Sequence, residues 1–259
     1  ALQYVDQVHS KEESRTFVVS QKGNGHYTTI DAAVKGARPG DTILIQSGVY
    51  TEGLVIDKQL HILADAPVEP AIIESFDMPC LQMQTDSAEV KGLTLRNRPG
   101  LANKKCSAVD IPRGQLELSD CDISSDSYAC ITIYGSASTP TIQRCKIHDG
   151  KEGGILVSED GSGVIKDCEI FGNFRVGMLI RQSADPTVQG CKFYRGKGAA
   201  ISVYENGRGR FEDCHIFENT SFTGVEIRQG GEPMLQDCKI YSERGSGVLV
   251  SQNGRGTLK

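Results

Sequence analysis

The 259-residue sequence predicts an all-β fold: a right-handed, single-stranded parallel β-helix with a short N-terminal capping helix. Three observations carry this prediction. A Cys followed two positions later by an apolar residue recurs at Cys121, Cys145, Cys168, Cys191, Cys214 and Cys238, at spacings of 24, 23, 23, 23 and 24. Three residues before each of these Cys stands another apolar residue: Leu118, Ile142, Ile165, Val188, Phe211 and Leu235. A third column is a small residue followed by an alternating apolar pair, running from Ala108-Val109-Asp-Ile111 to Gly247-Val248-Leu-Val250. Each unit holds about three short strands separated by Gly, Asn, Asp and Ser turns. Helical stretches are missing from the unit, which excludes leucine-rich, ankyrin and TPR arrays, and propeller blades need roughly 40 or more residues. One coil of a parallel β-helix fits. Equivalent residues of successive coils then lie about 4.8 Å apart, like neighbouring strands in any sheet. Inward side chains stack on their own counterparts, so each column keeps its chemical type.

The elements follow in order. Residues 1–15, with the charged run Lys11 to Arg15, read as a linker. Phe17 to Ser20 is a strand, and a turn follows to His26. Thr28 to Gly36 is a short helix with a Thr cap and an Ile30, Ala33 and Val34 face. Its task is to cover the open end of the stack, where core and strand edges are bare. Strands at Thr42 to Ile45, Gly48 to Tyr50 and Leu60 to Leu63 complete a cap spanning 16–65, and coils of about 23 residues run from 66 on. Residues 97–105 are an insertion between coils. A second period overlies the first. Turns with Pro140, Pro186 and Pro233 alternate with Gly161-Ser-Gly163, Gly207-Arg-Gly209 and Gly254-Arg-Gly256, so neighbouring coils must satisfy their turns differently. Leu258 falls in the Leu235 column and the chain stops three residues short of the next Cys position. The 16–259 domain is therefore expected to be truncated at its C-terminal end.

The opening, Phe17-Val-Val with Tyr27-Thr-Thr-Ile-Asp-Ala-Ala-Val, Gly-Asp41-Thr-Ile-Leu-Ile and Gly48-Val-Tyr50, resembles right-handed β-helix proteins, including pectin methylesterases. The later coils, such as Lys-Ile147-His-Asp-Gly150 and Glu205-Asn-Gly207-Arg-Gly209-Arg, are similar to the β-helix repeats of F-box ubiquitin-ligase subunits and related bacterial proteins. The likeness covers roughly residues 16–259. It implies the fold, and a repeat type first described in carbohydrate-binding proteins and sugar hydrolases. Such repeats often carry Asn where this chain has its Cys column, and no F-box segment is present.

A net charge of −5 argues against nucleic acid and an acidic membrane surface as partners, since both call for a basic face. No run of eighteen apolar residues marks a membrane span. The resemblance to pectin methylesterases would require their paired Asp residues, their Gln and an Arg-Pro-Trp segment, yet Trp is absent altogether. Polygalacturonase-type Asn-Thr-Asp, Gly-His-Gly and Arg-Ile-Lys are missing too. No catalytic residue is assigned. Carboxylates are plentiful, and on neighbouring coils any two sit close, so proximity alone does not identify a hydrolytic pair. The nine Cys include no Cys-x2–4-Cys pair, so no metal site is expected, and no cofactor. The Cys column reads as buried small hydrophobes at a turn, in a reducing and hence cytoplasmic compartment.

One surface strip remains. A column after the small-residue strand reads Ser158, Arg181, Tyr204, Arg228, Ser251, and the next reads Glu159, Gln182, Glu205, Gln229, Gln252. Arg and Tyr on successive coils can stack and are enriched where binding energy concentrates. The candidate binding residues are therefore Arg181, Tyr204, Arg228, Glu159, Gln182, Glu205 and Gln229, facing an acidic peptide or a sugar. The leading expectation is a non-catalytic recognition or scaffold domain of a larger protein, gripping a protein partner along a solenoid face. The alternative is a carbohydrate-binding or carbohydrate-active domain, and a third reading is a spacer between other domains.

Overall fold

The computed structural model describes residues 13–65, 69–241 and 244–259, so most of the 1–15 stretch read as a linker lies outside the described residues. Each coil passes through three parallel sheets in turn, A, B and C, and then re-enters A. Sheet A has eleven strands; B and C have nine each. A first strand, β1 (Thr16–Val19), extends sheet A by pairing with β2 (Thr42–Ile45), Phe17 opposite Ile43 and Val19 opposite Ile45. Between them, α1 (Ile30–Gly36) buries Ile30, Ala33 and Val34. Thr29 is its N-cap and accepts from the Ala32 amide. The free amides of Ile30 and Asp31 donate to the two carboxylate oxygens of Glu52 at 3.0 and 2.8 Å, a charge suited to a helix N-terminus. Lys58 Nζ caps the other end by donating to the Val34 and Ala37 carbonyls. The first full coil is β2, β3 (Gly48–Thr51) and β4 (Leu54–Ile56), so the winding begins inside the stretch read as the cap.

The columns read from the sequence are the inward columns of the three sheets. Leu118, Ile142, Ile165, Val188, Phe211 and Leu235 are successive partners in sheet A. Ile123, Ile147, Ile170, Phe193 and Ile216 stack in sheet B, and Ile131, Ile155, Met178, Ile201 and Val225 in sheet C. All are at most 2% exposed, each worth about 1.5–3 kcal/mol on burial.

The Cys column occupies the corner from sheet A to sheet B. The residue before each Cys is left-handed: Asp120, Arg144, Asp167, Asp213 and Asp237 have φ of 50 to 56°, and Gly190 takes the same place. That conformation turns the chain sharply and aims the thiol inward. Cys168 Sγ then donates to the carbonyls of Lys166 at 3.2 Å and Ile142 at 3.6 Å, the latter on the preceding coil. The thiols are free. A neighbouring thiol on the preceding coil draws each down, but the thiol on the following coil and burial outweigh it, leaving Cys145 and Cys168 pushed up to about 12.

The Pro/Gly alternation has a physical cause at the corner from sheet C to sheet A. Gly163 has φ +120°, and a Cβ there would meet the Pro140 carbonyl oxygen at 2.5 Å. At the two later corners a Cβ on Gly209 or Gly256 would instead meet Ile180 Cδ1 at 2.9 Å or Ile227 Cδ1 at 2.8 Å, with the Pro carbonyls 3.6 Å away. The Val164 amide donates to that same Pro140 oxygen at 2.8 Å. A matching alternation stands at the corner from B to C. Buried Asn173 and Asn219 alternate with Gly150 and Gly196, each Asn Oδ1 accepting the Gly amide of the coil before it at 2.8 and 3.0 Å.

Candidate functional site: a lengthwise groove on sheet C

Sheet C turns the middle residue of each apolar pair outward. Asp110, Thr132, Leu156, Leu179, Ser202 and Glu226 are register partners along six consecutive strands. Beside them, at the strand ends, lie Tyr134, Ser158, Arg181, Tyr204 and Arg228. Two adjoining depressions of about 410 and 540 Å³ share Tyr128, Leu156, Leu179 and Arg181 and form one groove along the axis. From the Ser107 coil to the Arg228 coil is five strand steps, roughly 24 Å.

The insertion forms one wall. Asp77, itself left-handed, accepts the amides of Gly100, Ala102 and Lys104 at 3.1, 2.7 and 2.9 Å. Ser127 Oγ donates to the Lys104 carbonyl at 2.7 Å and accepts from the Cys106 amide at 3.2 Å. Pinned this way, the loop delivers Lys105, Cys106 and Ser107 to the groove.

Most charges in the groove are already engaged. The Asp110 carboxylate accepts from Thr132 Oγ1 at 2.7 Å, from the Tyr134 hydroxyl at 3.3 Å and from Gln82 Nε2 at 3.4 Å. Burial, then the Asp110 charge, push Tyr134 up to about 12, so its hydroxyl stays a proton donor at neutral pH. Glu152 holds Arg175 at 2.8 Å and Lys105 at 3.3 Å. Glu226 accepts from Ser202 Oγ at 3.1 Å and lies 3.5 Å from Arg228 Nε. The Arg228 guanidinium sits 4.5 Å over the Tyr204 ring. Among the described residues the Arg181 guanidinium makes no ion pair or hydrogen bond, although the residue lines both depressions. Two buried side-chain polar atoms among the described residues have no hydrogen-bond partner, Ser107 Oγ and Arg228 Nε, and both belong to groove residues.

The structure thus gathers Arg181, Tyr204, Arg228 and Glu159 at the groove. It sets Gln182, Glu205 and Gln229 outside its lining, in the corner from C to A, where they share with Glu159 a left-handed turn, φ 52, 50 and 49° against 53°. Their place in the chain reflects backbone geometry, with each carbonyl taking an amide of the preceding coil. Asp110, Thr132, Tyr134, Leu156, Leu179 and Ser107 escaped the sequence reading. The signal was present: the middle residue of the apolar pair is polar at 110, 132, 202 and 226 and Leu at 156, 179 and 249, the first two of these being neighbours. A second unread feature is a row of rings on the outside of sheet B. His148, Phe171, Tyr194, Phe217 and Tyr241 stack face to face at 4.8 to 5.2 Å.

A three-sheet parallel solenoid with a lengthwise side-chain groove is the class that fold and site define. The chain belongs to the right-handed β-helix family: residues 80–222 match the family described as right handed beta helix region. Solved structures agree on the fold. The pectate lyase Pel9A superposes with a TM-score of 0.65 at 12% identity, over 93% of this chain and 79% of its own. A pectin methylesterase from carrot gives 0.62 at 15% identity, over 96% and 90%. An alginate lyase from a Paenibacillus species gives 0.60 at 13% identity, over 94% and 97%. At such identities the likeness is one of fold.

Proposed function

We propose that this chain is a carbohydrate-binding β-helix domain that holds a glycan chain lengthwise in the groove of sheet C. The observation that carries the reading is the make-up of the groove: an apolar Leu156 and Leu179 floor among hydrogen-bonding side chains such as Thr132, Ser158 and Ser202, with the Arg181 guanidinium unpartnered. Sugar hydroxyls both donate and accept, so they can meet such a mixed lining. Their C–H faces suit the half-buried Leu156 and Leu179 floor and the rings of Tyr128 and Tyr204. The solved structures of similar fold are named for action on pectate, pectin and alginate, which supports a carbohydrate.

This reading is preferred to the protein-recognition domain favoured from sequence, together with the F-box likeness that accompanied it. An extended peptide gains affinity by pairing its backbone with a sheet edge. The free edges of sheet C lie at the two ends of the stack, so the groove offers a peptide side chains only. We further take the working compartment to be the reducing cytoplasm, a reading supported by nine free thiols, of which Cys106 and Cys238 are partly exposed.

Calorimetric titration with oligosaccharides cut from plant and microbial polysaccharides tests the proposal. Arg228→Ala and Tyr204→Ala should each weaken binding about tenfold, given a stacked cation worth roughly 0.5–2 kcal/mol and one lost hydrogen bond. No binding at millimolar sugar, or variants that bind like the parent, would overturn it.

A further inference from the structure

We propose that the groove selects a glycan that is neutral along most of its length and carries one anionic group, seated on Arg181. The inference rests on the carbohydrate reading and deepens it. It comes from where the charges of the groove lie and which of them are taken.

The lining holds four cations, Lys105, Arg175, Arg181 and Arg228, and four carboxylates, Asp110, Glu152, Glu159 and Glu226. Its formal charge is therefore zero. Lys105 and Arg175 share Glu152. Arg228 is occupied by Glu226 and by the Tyr204 ring. Arg181 is left over. It is half-buried, it lines both depressions, and Glu159 on the adjacent coil does not reach it within ion-pair distance. A guanidinium without a partner offers the planar fork that matches a carboxylate, a sulfate or a phosphate.

The surroundings of Arg181 set the spacing of charge on the ligand. Asp110 lies three strand steps away and Glu226 two steps the other way, about 14 and 10 Å along the axis. One anion on Arg181 is then separated from Asp110 and Glu226 by about a screening length in physiological salt, and the nearest carboxylate, Glu159 one coil away, is exposed to the solvent that screens it. A chain with an acid on every unit would bring further carboxylates against Asp110 and Glu226. Neutral donors already surround the first, and Arg228 is engaged by the second, so nothing there is free to receive them. Like charges held at contact are an effective means of rejection. On the same stretch Leu156 and Leu179 present an apolar floor that accepts uncharged sugar faces.

The test is a glycan array with four arms: neutral oligosaccharides, the same backbones bearing one carboxylate, the same bearing one sulfate, and uronic-acid homopolymers. It is probed with the parent chain and with Arg181→Gln, whose fold is checked by circular dichroism. The singly acidic glycans should bind about tenfold more tightly than their neutral counterparts. Homopolymers should fall below the singly acidic arms. Arg181→Gln should erase the margin between the singly acidic and neutral arms, and the stronger of the carboxylate and sulfate arms identifies the anion. A homopolymer as the tightest ligand, or a margin that survives Arg181→Gln, overturns the inference. Equal binding of neutral and acidic arms also overturns it while leaving the carbohydrate reading standing. Silence across all arms removes both.

Discussion

Replacing Asn173 with Ala probes the pairing that links alternate coils. The side chain is 1% exposed. Its Oδ1 accepts the Gly150 amide at 2.8 Å, and its Nδ2 donates to the Ile147 carbonyl at 3.2 Å. Truncation strips a buried amide of its acceptor and a buried carbonyl of one donor. An orphaned buried group costs roughly 1–3 kcal/mol, and the carbonyl, with a second lone pair, sits at the low end. The expected loss is about 2–4 kcal/mol, a large share of the stability of any domain. Urea unfolding followed by far-ultraviolet circular dichroism gives the shift in midpoint. Amide exchange localises it: protection of the Gly150 amide should fall by a comparable free energy, while amides several coils away keep theirs. Asn219→Ala breaks the equivalent pair, with Gly196 at 3.0 Å and the Phe193 carbonyl at 3.3 Å. The two sites are two coils apart, roughly 10 Å, so their effects should add within about 0.5 kcal/mol. A loss below about 0.5 kcal/mol for Asn173→Ala, with Gly150 protection unchanged, would show that the alternation does not depend on this pairing.

Two further outcomes follow from titratable groups outside the groove. Hydrogen bonds to Asp122 and Asp149 outweigh burial and raise His148 above its ordinary value of 6.5, while His148 lowers Asp122. The histidine's share of stability is full below pH 6.5 and fades as pH climbs through its raised folded value; that of Asp122 fades as pH falls below the ordinary carboxylate range. The midpoint of unfolding should therefore drop between pH 6 and pH 9. His148→Phe, which keeps the stack on Phe171, should flatten that drop, and an equal slope in both proteins would refute the assignment. Cys238, at the end of the Cys column, is partly exposed and lowered below the ordinary thiol value by its Cys214 neighbour, while buried Cys145 and Cys168 are pushed up to about 12. Limiting iodoacetamide at neutral pH should alkylate Cys238 first and leave Cys145 and Cys168 unlabelled until the chain unfolds. Uniform labelling by mass spectrometry would contradict the burial and polarity of the column.

The fold was legible because a stacked solenoid writes its geometry into the chain. Each inward position must match the one 23 or 24 residues away, so Ile142, Ile165 and Val188 announce their own contacts. The helix was equally plain, with its Thr cap and its Ile30, Ala33 and Val34 face. The site was only half legible. Arg181, Tyr204 and Arg228 could be placed in one row by counting, but counting cannot show that in the next column, left-handed throughout, Glu159 borders the groove and Gln182, Glu205 and Gln229 do not. A period gives neighbours along the axis; it does not give the outline of the depression beside them. The same limit hid Ser107, which enters the groove only because Asp77 folds the insertion back on the coil.

A structure made of repeats keeps its function where the repeat is broken. Inward columns cannot vary without opening a void or an overlap, which is why Cys, Ile and Val recur there. The outward column of sheet C is free to vary, and it runs Asp110, Thr132, Leu156, Leu179, Ser202, Glu226 with no two neighbours alike except the Leu pair. That pair gives an apolar floor with an acidic, hydrogen-bonded residue toward each end, a polarity no single repeat could supply. The insertion adds a wall on one side, and the Arg–Tyr–Arg row adds the other. Both orphaned atoms of the described chain fall within these departures, and none lies in the regular columns. Where the repeat holds, buried groups such as Asn173 and the Cys168 thiol find a partner on the coil before them. Where it gives way, the Arg181 guanidinium keeps hydrogen-bonding capacity that the chain itself does not use.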